Sequence, residues 1–176
     1  MKKKIILIVG ASGVGKDSLL KESKKYFEKE VNFVRRCITR KADKNEDNYY
    51  LDDLDFDLLK QTDFFVSTWK AHDNFYGISK NEIKNTSNII SISRAKISDF
   101  EEKYDEVYTI NITLSKEELK NRLIKRARES IEDIEKRLNR NYEKITAKNL
   151  IEFDNSKEFI VSSNEFKNLL EEIIKK

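Results

Sequence analysis

The chain has 176 residues, 38% of them charged, yet a formal net charge of only +3, which excludes a polycation binding nucleic acid through bulk charge. A single cysteine, Cys37, excludes an internal disulfide and suits a reducing compartment. The apolar run Ile5 to Val9 is too short for a membrane span or a secretory core, so a soluble cytoplasmic chain engaging neither membrane nor nucleic acid is expected.

In chain order, "KIILIVG" reads as a buried strand and "KDSLLKESKKYFEKE" as the helix after it. "NFVRRCITR" reads as a second strand. "EDNYYLDDLDFDLL" carries six acids between Glu46 and Asp57 and no base, and is expected to hold a strand and a short helix. "DFFVSTWKAHDNFYGI" suggests two strands around a turn. "NIISIS" and "EVYTINIT" are further buried strands, separated by the helical "RAKISDFEEKY". Ser or Thr followed three residues later by an acid marks helix starts, and Ser79/Glu82, Ser115/Glu118, Ser130/Asp133 and Ser162/Glu165 fit that pattern. The longest helix is expected from about Ser130 to Asn149, with Ile131, Ile134, Leu138, Tyr142 and Ile145 as its apolar stripe. Arg137, Arg140 and Lys144 lie on another face of it. Strands alternating with helices predict an α/β fold around a largely parallel sheet. With no repeat, linker or low-complexity tract, a single domain over 1–176 follows.

Only four glycines occur, and three of them, Gly10, Gly13 and Gly15, fall within six residues. The segment Gly10-Ala11-Ser12-Gly13-Val14-Gly15-Lys16 follows a predicted strand and opens a predicted helix, the context a phosphate-binding P-loop requires. Backbone N–H groups in such a turn point inward around a phosphate, and the helix start adds a positive dipole end. Lys16 then reaches the outer phosphates as a mobile charge. Asp17 stands where Ser or Thr usually coordinates magnesium. Either Asp17, with Ser18 beside it, is a magnesium ligand, or it only favours the helix N-terminus electrostatically.

This loop, together with "ITRKADKNEDNYY", "TWKAHDNFYGIS", "SRA" and "RLIKRARESIEDIEKRLNR", resembles the guanylate-kinase group of P-loop kinases over essentially the whole chain. Within that group the chain most resembles the ribose 1,5-bisphosphate phosphokinases. "GKDS", Trp69-x-Ala71-His72-x-x-x-Tyr76-Gly77 and Ser93-Arg94-Ala95 match segments characteristic of that subfamily, so Asp17 is a subfamily feature. The resemblance implies a three-layer α/β/α P-loop fold with an acceptor-binding insert over 33–86 and a helical lid over 125–145. It implies ATP and Mg²⁺ as cofactors and a phosphorylated small molecule as partner, and leaves a homodimer open.

The resemblance also separates the two kinase types. Positions that read guanine in guanylate kinases correspond to Arg36 and Ser67. A second phosphate-binding arginine corresponds to Asp43, and the acid at the end of the metal-binding strand to Ser91 or Ser93. Arg40 and Tyr76 remain as acceptor-phosphate ligands. A site that gains Arg36 and lacks the glutamate suits a bisphosphorylated sugar.

Arg35 and Arg36, adjacent on a regular strand, would face opposite sides. Arg36 is grouped with Arg40 in the cleft, and Arg35 is assigned to a solvated surface. His72, the only histidine, is assigned to acceptor binding, because an acceptor phosphate is already ionised and needs no base. Trp69 is read as core packing. Arg94, opening a helix after a parallel strand, is an acceptor-phosphate candidate. Arg126, Arg128 and Arg137 are nominated as lid arginines that stabilise the transferring phosphoryl group, with Arg122 and Arg140 as structural or surface residues. Asn155, in "FDNS", is a candidate beneath adenine. The expected activity is ATP-dependent phosphorylation of ribose 1,5-bisphosphate to 5-phosphoribosyl 1-diphosphate. The alternatives are a guanylate kinase, another small-sugar or acid kinase, and a non-catalytic guanylate-kinase-like interaction module.

Overall fold

Five consecutive apolar residues, Ile5 to Val9, are each fully buried, as in a parallel strand covered on both faces. They form β1 (Ile5–Gly10), the centre of a five-stranded sheet in a computed structural model. The structure describes residues 3–41, 47–71, 73–126, 134–135, 138 and 145–176, without the side chain of Arg126.

The strand order is β2 (Asn32–Phe33), β7 (Asn88–Ser91), β1, β8 (Val107–Thr113), β9 (Leu150–Asp154), and every pairing is parallel. Alternate residues of β1 feed separate cores. Ile6 and Ile8 join Leu19 of α1 (Lys16–Phe27), Leu119 and Leu123 of α4 (Lys116–Arg126), and Phe166 and Leu170 of α5 (Phe159–Lys175). Ile5, Leu7 and Val9 join Ile97 and Phe100 of α3 (Ile97–Glu101), with Val66 and Ile78. The expected parallel α/β layering is therefore present. Lys4 is buried just ahead of β1, where its ammonium donates to the carbonyls of Ile173 and Ile174 at 2.9 and 3.2 Å. Cations favour a helix C-terminus, so this contact ties the end of α5 to the start of the sheet.

A second sheet has the order β4 (Tyr49–Tyr50), β3 (Cys37–Ile38), β6 (Asn74–Ser79), β5 (Phe65–Ala71). The β3–β4 pair is parallel, while β3–β6 and β5–β6 are antiparallel. Phe56 of α2 (Asp53–Gln61) is fully buried against one face, stacked on Phe65 and Phe75 at 4.9 and 5.6 Å between centroids. Asp52 caps α2 by accepting from the Asp55 N–H at 2.8 Å.

Three expectations need correction. "NFVRRCITR" is not one strand: Asn32–Phe33 pairs with β7 of the large sheet and Cys37–Ile38 with β4 and β6 of the small one. The chain leaves one ladder for the other at Arg35 and Arg36, so the alternation argued for those residues does not apply. Ser162 does not start a helix. It is fully buried inside α5, which begins at Phe159, and its hydroxyl donates to the Lys157 carbonyl at 3.3 Å. The helix expected to Asn149 does not reach it, because 145–147 are irregular and Lys148–Asn149 form a turn. Ile134 and Leu138 of its apolar stripe are buried in the first core, while Ile145 packs on the second. Ile131, Tyr142 and Ser130/Asp133 lie outside the described residues. Ser115 does cap α4 reciprocally with Glu118, accepting from its N–H at 3.2 Å and donating to its carboxylate at 2.9 Å. At Ser79 the hydroxyl accepts from Asn81 N–H instead, capping a single 3₁₀ turn.

Cys37 is 4% exposed, and burial pushes its thiol from an ordinary 9.0 up to about 11. Between those values the unfolded chain loses the proton and the folded chain keeps it, so stability falls as pH rises from about 9 to 11 and is complete below that window. Two units correspond to about 2.7 kcal/mol at most. Urea titrations at pH 8.5 and 10.5 should show this extra loss in the wild type and not in Cys37→Ala, and the native thiol should resist iodoacetamide at pH 8. Equal pH slopes in the two proteins would refute the assignment. Among the described residues no helix is long and apolar enough to cross a membrane.

Candidate active site

The parallel strands β7, β1 and β8 end together, with Ile8 beside Ser91 and Gly10 beside Ile112, and the glycine loop leaves β1 at this edge. Gly10, Gly13 and Gly15 all have positive φ, at 143°, 98° and 99°. At Gly10 a Cβ would sit 2.5 Å from the Ile112 carbonyl oxygen, so the close pairing of β1 with β8 itself demands glycine. Gly15 is the N-cap of α1 and has no side-chain cap. The N–H groups at that helix start therefore point to the loop's interior.

The Lys16 ammonium donates to the carbonyls of Gly10 and Ala11 at 2.7 and 2.8 Å, which holds it against the loop. Asp17 and Ser18 are exposed in the first turn of α1. Asn155 is 4% exposed, and its amide donates to the Val14 carbonyl at 2.6 Å. The Arg122 guanidinium donates to the Asn155 and Val14 carbonyls at 3.0 and 3.5 Å. Asn155 and Arg122 thus brace the loop at Val14. Arg122, read from sequence as structural or surface, is a structural contact at the site itself.

A cleft of about 300 Å³ opens beside the loop, lined by Gly13, Gly15, Ser18, Arg122, Lys125, Asn155, Lys157 and Phe159. Three cations and a helix N-terminus along one wall suit a polyanion, although Lys157 also pairs with Glu165 at 2.6 Å. Lys125 and Phe159 were not found by sequence reasoning. Neither belongs to the glycine motif, and α4 and the start of α5 bring them there only through packing.

The small sheet carries several of the residues that the sequence nominates for the acceptor. Trp69 and Tyr76 are cross-strand partners with rings stacked at 5.5 Å and 7°. Trp69 also packs on the second core, as expected. The Arg36 guanidinium lies 5.8 Å from the Tyr76 ring centre and donates to the Asn48 side-chain oxygen at 3.3 Å. Arg35 lies at the surface as expected, its side chain 41% exposed. It stacks on Tyr49 at 3.9 Å, hydrogen-bonds the Tyr49 hydroxyl and pairs with Asp47 at 3.7 Å. Arg94 opens a 3₁₀ turn, two residues separating it from the end of β7, with Ser93 as its N-cap. Arg40 follows β3 and is half-buried. Arg126 closes α4. His72, Asp43, Arg128, Arg137 and Arg140, with most of the 125–145 lid, lie outside the described residues.

Ser91, one of the two serines that the resemblance sets against an acid at this strand end, is buried, and its hydroxyl has no hydrogen-bond partner among the described residues. No group of three or more His, Cys, Asp or Glu side chains suited to a metal occurs among the described residues.

A glycine-rich loop at the edge of a parallel sheet, closing on a lysine and a cationic cleft, defines a P-loop phosphotransferase class. The chain belongs to the guanylate kinase family, whose model matches residues 2–175. It is 33% identical over 144 residues to a ribose 1,5-bisphosphate phosphokinase of Ruegeria sp., covering 79% of this chain and 75% of that protein. It is 31% identical over 177 residues to a guanylate kinase of Campylobacter jejuni, covering 93% and 82%. The crystal structure of a guanylate kinase from Anaplasma phagocytophilum superposes with a TM-score of 0.66 at 19% identity, over 99% of this chain and 88% of that one. The chain is thus a kinase of nucleotide or phosphate acceptors with the guanylate-kinase fold.

Proposed function

We propose that the chain transfers a phosphoryl group from ATP to the 1-phosphate of ribose 1,5-bisphosphate, giving 5-phosphoribosyl 1-diphosphate. The observation that carries this reading is Arg36, a guanidinium beside Tyr76 on the acceptor side, where the family resemblance places a residue reading a purine. A second phosphate on the acceptor gives that charge a partner; a neutral base does not.

In this reading the donor phosphates lie in the glycine loop, and Lys16 exchanges its loop carbonyls for their oxygens. Arg36, Arg40, Tyr76, Arg94 and His72 hold the acceptor in line. Arg126, Arg128 and Arg137 come in from the lid. The acceptor oxygen is already ionised, so no side chain removes a proton, and positioning with electrostatics does the work. Asp17 and Ser18 are the residues that would hold magnesium. One carboxylate and one hydroxyl, without a larger acidic cluster among the described residues, fit an ion bound mainly by phosphates and water. When bound, the ion neutralises charge on the donor phosphates.

The guanylate-kinase reading has its own support in the Campylobacter jejuni relative. An ADP-release assay with ATP and Mg²⁺, comparing ribose 1,5-bisphosphate with GMP, separates the two. The expected result is turnover with the sugar at least about a hundredfold above GMP in kcat/KM, the size of one or two lost charge-assisted contacts. Turnover with GMP alone would overturn the proposal.

A further inference from the structure

Ser67 stands where the family resemblance places a base-reading glutamate, yet the acceptor side does not lack a carboxylate. The Ser67 hydroxyl donates to Asp99 Oδ2 at 2.7 Å, and Lys96 pairs with the same oxygen at 3.3 Å. Ser67 and Trp69 alternate along β5, and their cross-strand partners are Ile78 and Tyr76. Asp99, reaching Ser67 from α3, therefore meets the face of the small sheet that carries Trp69 and Tyr76. It sits five residues after Arg94 on the same helical run. The Asp99 side chain is 26% exposed, and both of its contacts to described side chains fall on Oδ2.

A carboxylate here repels phosphate and accepts from neutral donors. From this we infer that Asp99 is a specificity residue of the acceptor site, its carboxylate accepting hydrogen bonds from the sugar hydroxyls of a phosphorylated pentose. Ser67 and Lys96 are positioning residues that aim it. The cations bind the two phosphates, and the carboxylate reads what lies between them. This inference rests on the sugar-kinase reading above.

The test compares ribose 1,5-bisphosphate with its 2-deoxy and 3-deoxy analogues in wild type, Asp99→Ala and Asp99→Asn, by ADP release. A hydrogen bond to a charged group is worth about tenfold or more. In wild type at least one deoxy analogue should be about tenfold poorer in kcat/KM. In Asp99→Ala that gap should close to about twofold, whatever the variant's absolute rate. Asp99→Asn keeps the side-chain volume and should narrow the gap part-way, and it stands in should the alanine variant not fold. A residue that only ties α3 to β5 would slow all three acceptors equally and leave the gap intact. Such a result, or the absence of any gap in wild type, overturns this inference and leaves the sugar-kinase reading standing. Wild type that turns over GMP and not the sugar defeats the sugar-kinase reading, and this inference falls with it; the wild-type arm alone reports that case.

Discussion

Replacing Lys16 with alanine should lower kcat/KM for phosphoryl transfer by about a thousandfold, roughly 4 kcal/mol of transition-state stabilisation. The ammonium is held 2.7 and 2.8 Å from the Gly10 and Ala11 carbonyls, in the glycine loop ahead of the α1 N-terminus. In the proposed reaction it is a mobile positive charge placed where negative charge shifts during transfer. Lys16→Arg should not rescue, because a planar guanidinium is bulkier and cannot replace a compact point charge. Folding should survive both changes, since α1 is anchored by Leu19 and Phe27 in the core. ADP-release kinetics with a parallel thermal melt would check this. A folded alanine variant keeping a tenth of wild-type activity would remove Lys16 from the chemistry.

The largest stability effect is expected at Gly10. Its φ of 143° is unfavourable for any L side chain, and a Cβ would lie 2.5 Å from the Ile112 carbonyl oxygen and 3.2 Å from Val14 Cγ2. The first neighbour is backbone of the adjacent strand and cannot rotate away. Gly10→Ala should therefore cost about 4 kcal/mol, backbone strain and overpacking together. A large share of a domain's stability would go with it. Gly13 provides the contrast. Its φ is 98°, but its nearest neighbour is Leu123 Cδ2 at 3.0 Å, the far end of a side chain that can shift. Gly13→Ala should cost about 1–2 kcal/mol, mostly left-handed backbone. Urea denaturation of both variants tests the ranking. Equal losses would mean that the β1–β8 spacing does not dictate the glycine.

Local chemistry was legible wherever one segment carries it. The glycine loop, the burial of β1, the reciprocal cap at Ser115 and the helical start at Arg94 each depend on residues adjacent in the chain. The contacts of Arg35 were not legible for the opposite reason. Its surroundings are set by Tyr49 and Asp47 across a change of sheet, and nothing in "FVRRC" announces that the ladder is about to switch. Ser162 followed by Glu165 has the form of a helix start, but the apolar residues before it, Phe159 to Val161, already continue the helix. A capping pair reports a preference, and packing selects where it is used.

The sequence by itself determined that this chain builds a phosphate-binding loop on a parallel α/β frame, because glycine spacing and continuous apolar strands state backbone requirements directly. Only the tertiary structure decided what surrounds that loop and the small sheet. Asn155 and Arg122 brace Val14 from 141 and 108 residues away, and the Ser67 hydroxyl meets the carboxylate of Asp99, 32 residues on. Such contacts follow from which elements pack together. A hydrogen bond between distant segments leaves no periodicity in either of them.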